Sequence, residues 1–263
     1  MRYSYRRPAF SSGFGMMPPT PRSIKKLLWA NFLVWFVFAA GIAAGLGPAA
    51  YLFRWLSLTP HTFLRGALWQ PASYMFLHDP GGLWHVGLNL FALWMFGGTL
   101  ARDWGDRRFL TFYFTSGIGA ALADVALRTL TGSGAVATVG ASGAVLAVVT
   151  AFAVTYPRTP ILISFILPVP AWVVAVAYAA INLLGAVQDL ARGGNPSGTA
   201  FTVHLAGMAL GYYLVRRRGG IPEIGGLLKD LQARHRQWQL RQARKKFEVY
   251  MRDRDRRKGP WTQ

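Results

Sequence analysis

The chain has 263 residues, a net charge of +19 and a mean hydropathy of +0.26, a combination that excludes an ordinary soluble globule. It has no cysteine, which excludes disulfide and thiolate chemistry. Charge and apolar surface must therefore occupy separate regions of the molecule.

Residues 1–26 hold six Lys and Arg residues among Ser, Gly, Pro and Tyr and read as a basic, disordered tail. Beyond them, charged residues leave long gaps: from Lys26 to Arg54, Asp79 to Arg102, Arg128 to Arg158, Arg158 to Asp189, and Arg192 to Arg216. Each gap is long enough for a membrane helix, which needs about 20 apolar residues. A further apolar run from Phe109 reaches about Leu127 if Asp124 sits at headgroup level. The expected spans lie near 27–46, 83–101, 108–127, 141–156, 168–188 and 199–215. This is an all-α integral membrane protein, with a six-transmembrane-helix bundle over 27–215 and a basic tail over 216–263. The first span is too long for a signal-peptide core and lacks a small-x-small cleavage site, so it is read as retained. Trp55, Phe63, Trp69 and Phe76 place the segment 48–80 in the outer interface. Within the C-terminal tail, 222–258 reads as a basic helix with Leu227, Leu231 and Trp238 near one face, suited to membrane lipid.

Six spans put all but four of the 29 Lys and Arg residues on one side, the exceptions being Arg54, Arg65, Arg128 and Arg192. The positive-inside rule then places both termini in the cytoplasm and accounts for the basicity without nucleic acid as a partner. No internal repeat suggests a transporter. Five His residues without Cys or an H-E-x-x-H motif give no metal site, and no cofactor is expected.

Threaded through the membrane, four polar side chains fall in one outer layer. His85 and Asn89, four residues apart, share a face of the second span. Ser142 stands at the first turn of the fourth span, and His204 near the start of the sixth. Each has a bland role alone: Gly140 and Gly143 around Ser142, and Gly207 and Gly211 on the sixth span, suit close helix packing, and Asn89 suits interhelical hydrogen bonding. Their common depth suits acyl transfer, with Ser142 as nucleophile and His204 as base. The helix-end amide of Ser142, with His85 and Asn89, would then stabilise an oxyanion. Asp124 and Asp79 are read as interfacial or loop carboxylates, Asp124 being the alternative third member.

Those residues resemble the rhomboid family of intramembrane serine proteases. "WQPASYMFLHDPGGLWHVGLNLFALWMFGG" is similar to its first-loop and second-span signature, ending in the H-x-x-x-N pair His85 and Asn89. "WGDRRFLTFYF" resembles its G-x-x-R-F entry to the third span, "GASGAVLAVVTAF" its G-x-S-G span, and "HLAGMALGYYL" its last catalytic span. The resemblance implies a six-helix rhomboid-like core and a Ser142–His204 dyad without a carboxylate. It also implies oxyanion contacts from the Ser142 amide, His85 and Asn89, and cleavage of transmembrane protein substrates near the outer end of their membrane segment. The simpler layout suggests a bacterial cytoplasmic membrane. Three positions depart from the family pattern: Ala101 replaces a glutamate, Gln70 follows Trp69 in place of arginine, and Leu146 replaces an aromatic residue. The alternative is a non-catalytic member that binds or escorts membrane-protein clients. Substrate entry is expected beside the fifth span, near Trp172.

Overall fold

Hydrocarbon thickness and helix rise decide which segments cross a bilayer: about 30 Å at 1.5 Å per residue requires about 20 residues. In the computed structural model, which describes residues 19–132, 134–163, 166–191 and 200–217 together with 236, 237 and 240, four helices meet that requirement by length and apolarity. They are α1 (Arg22–Ala43), the continuous helix Leu83–Trp104, α7 (Asp106–Leu130) and α9 (Ala171–Ala191). Two shorter helices, α8 (Ser142–Thr155) and α10 (Phe201–Arg216), occupy the fourth and sixth expected spans. Most of both tails falls outside the described residues, including nearly all of the basic helix expected over 222–258.

The helix Leu83–Trp104 comprises α5 (Leu83–Ala92), a π-helical turn at Leu93–Gly97 and α6 (Gly98–Trp104). Gly105, at φ 82°, turns the chain directly into α7, a backbone conformation that glycine adopts without strain. Between α1 and α5 the chain forms α2 (Gly47–Leu56), α3 (Pro60–Leu64), α4 (Gln70–Ser73) and a 3-10 turn at Tyr74–Phe76. A lone antiparallel bridge, Leu58 to Thr138, fastens this layer to the loop before α8. Gln70 holds the layer from within. Its Oε1 accepts from Thr59 N (3.1 Å) and Thr62 Oγ1 (2.9 Å), and its Nε2 donates to the Trp55 carbonyl (3.2 Å). Trp69 Nε1 donates to the same carbonyl at 3.1 Å, so the Trp69–Gln70 pair anchors the loop without an arginine.

α8 is the centre of the bundle. Ten consecutive residues from Ala144 to Ala153 are buried, matching a helix that is apolar on every side. α1 and α9 form its outer walls and turn Trp29, Leu33, Phe36, Ile181, Leu184 and Val187 outward, as lipid-facing helices do. Fourteen residues make α8 about 21 Å long, some 9 Å less than a bilayer core. The backbone just ahead of its Ser142 end, at Thr138, Gly140 and Ala141, is buried within protein, where irregular structure beside lipid is tolerable.

One element was not foreseen. Strands β1 (Pro160–Ile163) and β2 (Leu167–Pro170) pair antiparallel between α8 and α9, where the fifth span was expected to begin at 168. Pro168 and Pro170 supply no backbone N–H and so cannot sit in a helix interior, and α9 starts directly after them, at Ala171.

Candidate active site

Five helices meet around Ser142: α5, α8 and α10 by their starts, α7 along its second half and α9 by its middle. The first backbone bond of α8 runs from Val145 N to Ala141 O at 2.9 Å, so the amides of Ser142, Gly143 and Ala144 precede its ladder. They form a positively polarised helix end beside the Ser142 hydroxyl.

α10 brings the histidine to it. His204 Nε2 lies 2.8 Å from Ser142 Oγ. Small residues make this approach possible: a Cβ on Gly207 would fall on the Gly143 carbonyl, and one on Gly211 would lie 2.5 Å from the Ala147 carbonyl. The two helices touch backbone to backbone, where no flexible side chain can yield. Gly207→Ala is therefore expected to cost about 1–3 kcal/mol of stability, as overpacking does. It should also draw His204, one turn away, off Ser142. Thermal unfolding in detergent and labelling of Ser142 by a serine-directed reagent should fall together in this variant.

α5 contributes from the other side. Gly140 has φ 125°, and a Cβ there would lie 3.1 Å from His85 Nε2 and 3.5 Å from Ser142 Oγ. Gly140 thus leaves open the space that His85 and Ser142 both border. Its own N–H is held at 3.0 Å by the Tyr74 carbonyl, and the Tyr74 hydroxyl donates to the Gly117 carbonyl at 2.8 Å. Asn89, buried one turn below His85, donates from Nδ2 to the His85 carbonyl at 2.8 Å. Behind His85 stands the fully buried His78, with ring centroids 5.3 Å apart. Burial lowers the His78 pKa to about 4, and His85 acts in the same direction, so a neutral ring backs the site at pH 7.

Asp124 behaves differently from the sequence expectation. It is fully buried within the protein and does not reach water. Its Oδ1 accepts from Arg128 Nε at 2.9 Å and from Thr202 Oγ1, while its Oδ2 accepts from Thr138 Oγ1 at 3.2 Å. The carboxylate joins α7 to the loop ahead of Ser142 and to the first turn of α10, two residues before His204. The Nδ1 of that histidine instead faces Asn182 Oδ1 on α9, at 2.8 Å.

Asn182 went unread in the sequence. The signal was a carboxamide in the middle of a charge-free apolar run, two helical turns before Asp189 and so on the same face. Trp172 lies at the other end of α9, about 15 Å of helix from Asn182. There it lines a groove of about 420 Å³ with Thr150, Met208, Tyr212 and Arg216, remote from Ser142.

The assembled groups suit nucleophilic acyl transfer: a hydroxyl, a base in contact with it, and N–H donors around a shared space. Among the described residues no cluster of His, Cys, Asp and Glu suits a metal ion. The model of the Rhomboid domain family matches residues 65–218. Rhomboid protein 1, mitochondrial, from Saccharomyces cerevisiae is 38% identical over 105 residues, 39% of this chain and 30% of that protein. RHOMBOID-like protein 12, mitochondrial, from Arabidopsis thaliana is 26% identical over 192 residues, 68% of this chain and 52% of that protein. The chain thus spans about half or less of the length of these relatives.

Proposed function

We propose that this chain, which belongs to the rhomboid family, is an intramembrane serine endopeptidase that cleaves transmembrane proteins near one end of their membrane segment. The observation that carries the reading is the 2.8 Å contact between His204 Nε2 and Ser142 Oγ at the N-terminal end of α8. A hydroxyl and an imidazole half-buried among apolar helices are costly in lipid, and attack on a peptide bond uses both.

In this mechanism Ser142 Oγ bonds to the scissile carbonyl carbon as its proton passes to His204 Nε2. Negative charge gathers on the carbonyl oxygen. The Ser142 amide at the helix end and His85 Nε2 lie on the space where that oxygen forms. The Asn89 amide nitrogen carries two hydrogens; one bonds the His85 carbonyl and the other is assigned to the oxyanion. As the C–N bond breaks, His204 returns its proton to the leaving amine, leaving an ester on Ser142. Water then repeats the sequence: it attacks the ester carbonyl while His204 takes its proton, and Ser142 leaves as the alcohol.

The basic ends of the chain set the orientation we assign. Both termini face the positively charged side, and Ser142 opens toward the other. Both relatives carry mitochondrial names, so the comparison gives no support to a bacterial membrane in particular. The reading needs only an integral membrane setting, which the four apolar helices supply.

The test is covalent. Purified protein in detergent is treated with a fluorophosphonate, and the adduct is mapped by mass spectrometry. Phosphonylation confined to Ser142, together with cleavage of single-span proteins in liposomes, is the expected result. A folded protein that neither labels nor cleaves would instead be a non-catalytic family member.

A further inference from the structure

Asn182 occupies an unusual place for a carboxamide. It is 3% exposed, on a helix whose neighbouring Ile181, Leu183 and Leu184 are 61, 56 and 62% exposed. An amide inside a lipid-facing helix is tolerated only when both its polar atoms are engaged. Here both are. Asn182 Nδ2 donates to the Tyr178 carbonyl at 2.8 Å, one turn back on α9, and Oδ1 lies 2.8 Å from His204 Nδ1.

These two contacts fix a direction. A carbonyl can only accept, so the nitrogen of the amide must face Tyr178 and the oxygen must face His204. An amide oxygen can only accept as well, so His204 Nδ1 must carry its hydrogen. The lone pair of the neutral ring is then on Nε2, which faces Ser142 Oγ at 2.8 Å. The chain of donors runs from the Ser142 hydroxyl to Nε2, and from Nδ1–H to the Asn182 oxygen.

We propose that Asn182 is a positioning residue that holds His204 in the tautomer and ring orientation able to accept the Ser142 proton. The inference deepens the serine-hydrolase reading and rests on it for its consequence in catalysis. An amide oxygen performs this task without burying a second charge beside the apolar core. It also stabilises the imidazolium less than a carboxylate would.

Rates and spectra test this separately. Around His204, the titratable groups are His85 on α5 and, through Thr202, the Asp124–Arg128 pair on α7; α8 carries none, and Asp189 lies two turns past Asn182 on α9. The rate of fluorophosphonate labelling is measured against pH for the wild type, Asn182→Ala, Asn182→Leu and Asn182→Asp, with thermal unfolding in parallel. In labelling, Ser142 Oγ bonds to phosphorus, fluoride leaves, and the proton passes to His204. The Ala and Leu variants should label at least about 10-fold more slowly while folded, a part of the 10²–10⁴ that a positioned base contributes. Asn182→Asp should keep more of the rate than either, with its acidic limb moved to higher pH, because a carboxylate facing Nδ1 favours the protonated ring. A residue that merely ties α9 to α10 would lower unfolding temperature and leave that limb in place.

The second readout needs no activity. Nitrogen-15 spectra of histidine-labelled protein, with His204 identified by its loss in His204→Gln, should report the Nδ1–H tautomer in the wild type and a mixture in Asn182→Leu. An unchanged His204 tautomer in Asn182→Leu, or wild-type labelling rates in both apolar variants, overturns the inference. If the wild type does not label, loss of the Nδ1–H tautomer in Asn182→Leu supports the positioning role and removes the protease reading instead.

Discussion

Ser142→Ala should remove about 10⁴- to 10⁶-fold of turnover while leaving the protein folded, the scale on which a nucleophile and its base act as one unit. His204→Ala should fall into the same range, and the double variant should be no worse than either alone, because each removes the whole proton-transfer step. The structural cost is small by comparison. Ser142 is half-buried, and its hydroxyl contributes a hydrogen bond to His204, worth about 1 kcal/mol. Helix α8 keeps all its apolar contacts in the variant, so its unfolding midpoint should stay near the wild-type value. Cleavage of a reconstituted single-span protein, followed beside thermal unfolding, separates the two effects. Turnover by Ser142→Ala at more than a small fraction of the wild-type rate would remove the nucleophile assignment.

The parts of this architecture that were legible in the sequence are those written in short-range periodicity. Charge-free gaps located the helices, because lipid excludes charge wherever it falls. The spacing of His85 and Asn89 placed both on one face of α5, and Gly207 and Gly211 marked the surface on which α10 meets α8 backbone to backbone. What stayed hidden depends on which helices meet and at what height. Asn182 and His204 are 22 positions apart, and nothing local ties a carboxamide on α9 to an imidazole on α10. Gln70 reads as a polar loop residue, yet its amide bonds α2 and α3 together from a position that is 1% exposed. The expected fifth span takes in residues 168–170 of β2, and β1 goes unread between spans, because hydropathy does not distinguish an apolar strand from an apolar helix. Only the prolines at 157, 160, 168 and 170 argued otherwise.

Asp124 makes the same point with a larger energy. Hydropathy placed it at the end of a span, where a carboxylate reaches water at little cost; the fold instead closes over it and supplies Arg128, Thr138 and Thr202 as donors. A buried ion pair stabilises little relative to apolar residues of similar size, but removing one partner typically costs about 3–5 kcal/mol. Asp124→Ala takes the carboxylate away from a guanidinium that is 6% exposed and should destabilise the protein by about that amount. It should also slow the reaction beyond what unfolding explains. Thr138 precedes Ser142 by four residues and Thr202 precedes His204 by two, so one carboxylate sets the spacing of nucleophile and base from their outer ends, as Gly207 and Gly211 set it from below. Asp124→Asn, which keeps an acceptor oxygen for one threonine, should fall between the wild type and Asp124→Ala in both stability and rate. Asp124→Leu combined with Arg128→Leu should recover much of the stability, since no charge is left behind, but not the rate, since neither threonine regains its partner. Urea or thermal unfolding of the set, with serine labelling measured on the folded fraction, checks both halves. Full labelling rates in the stable double-leucine variant would confine Asp124 to stability alone.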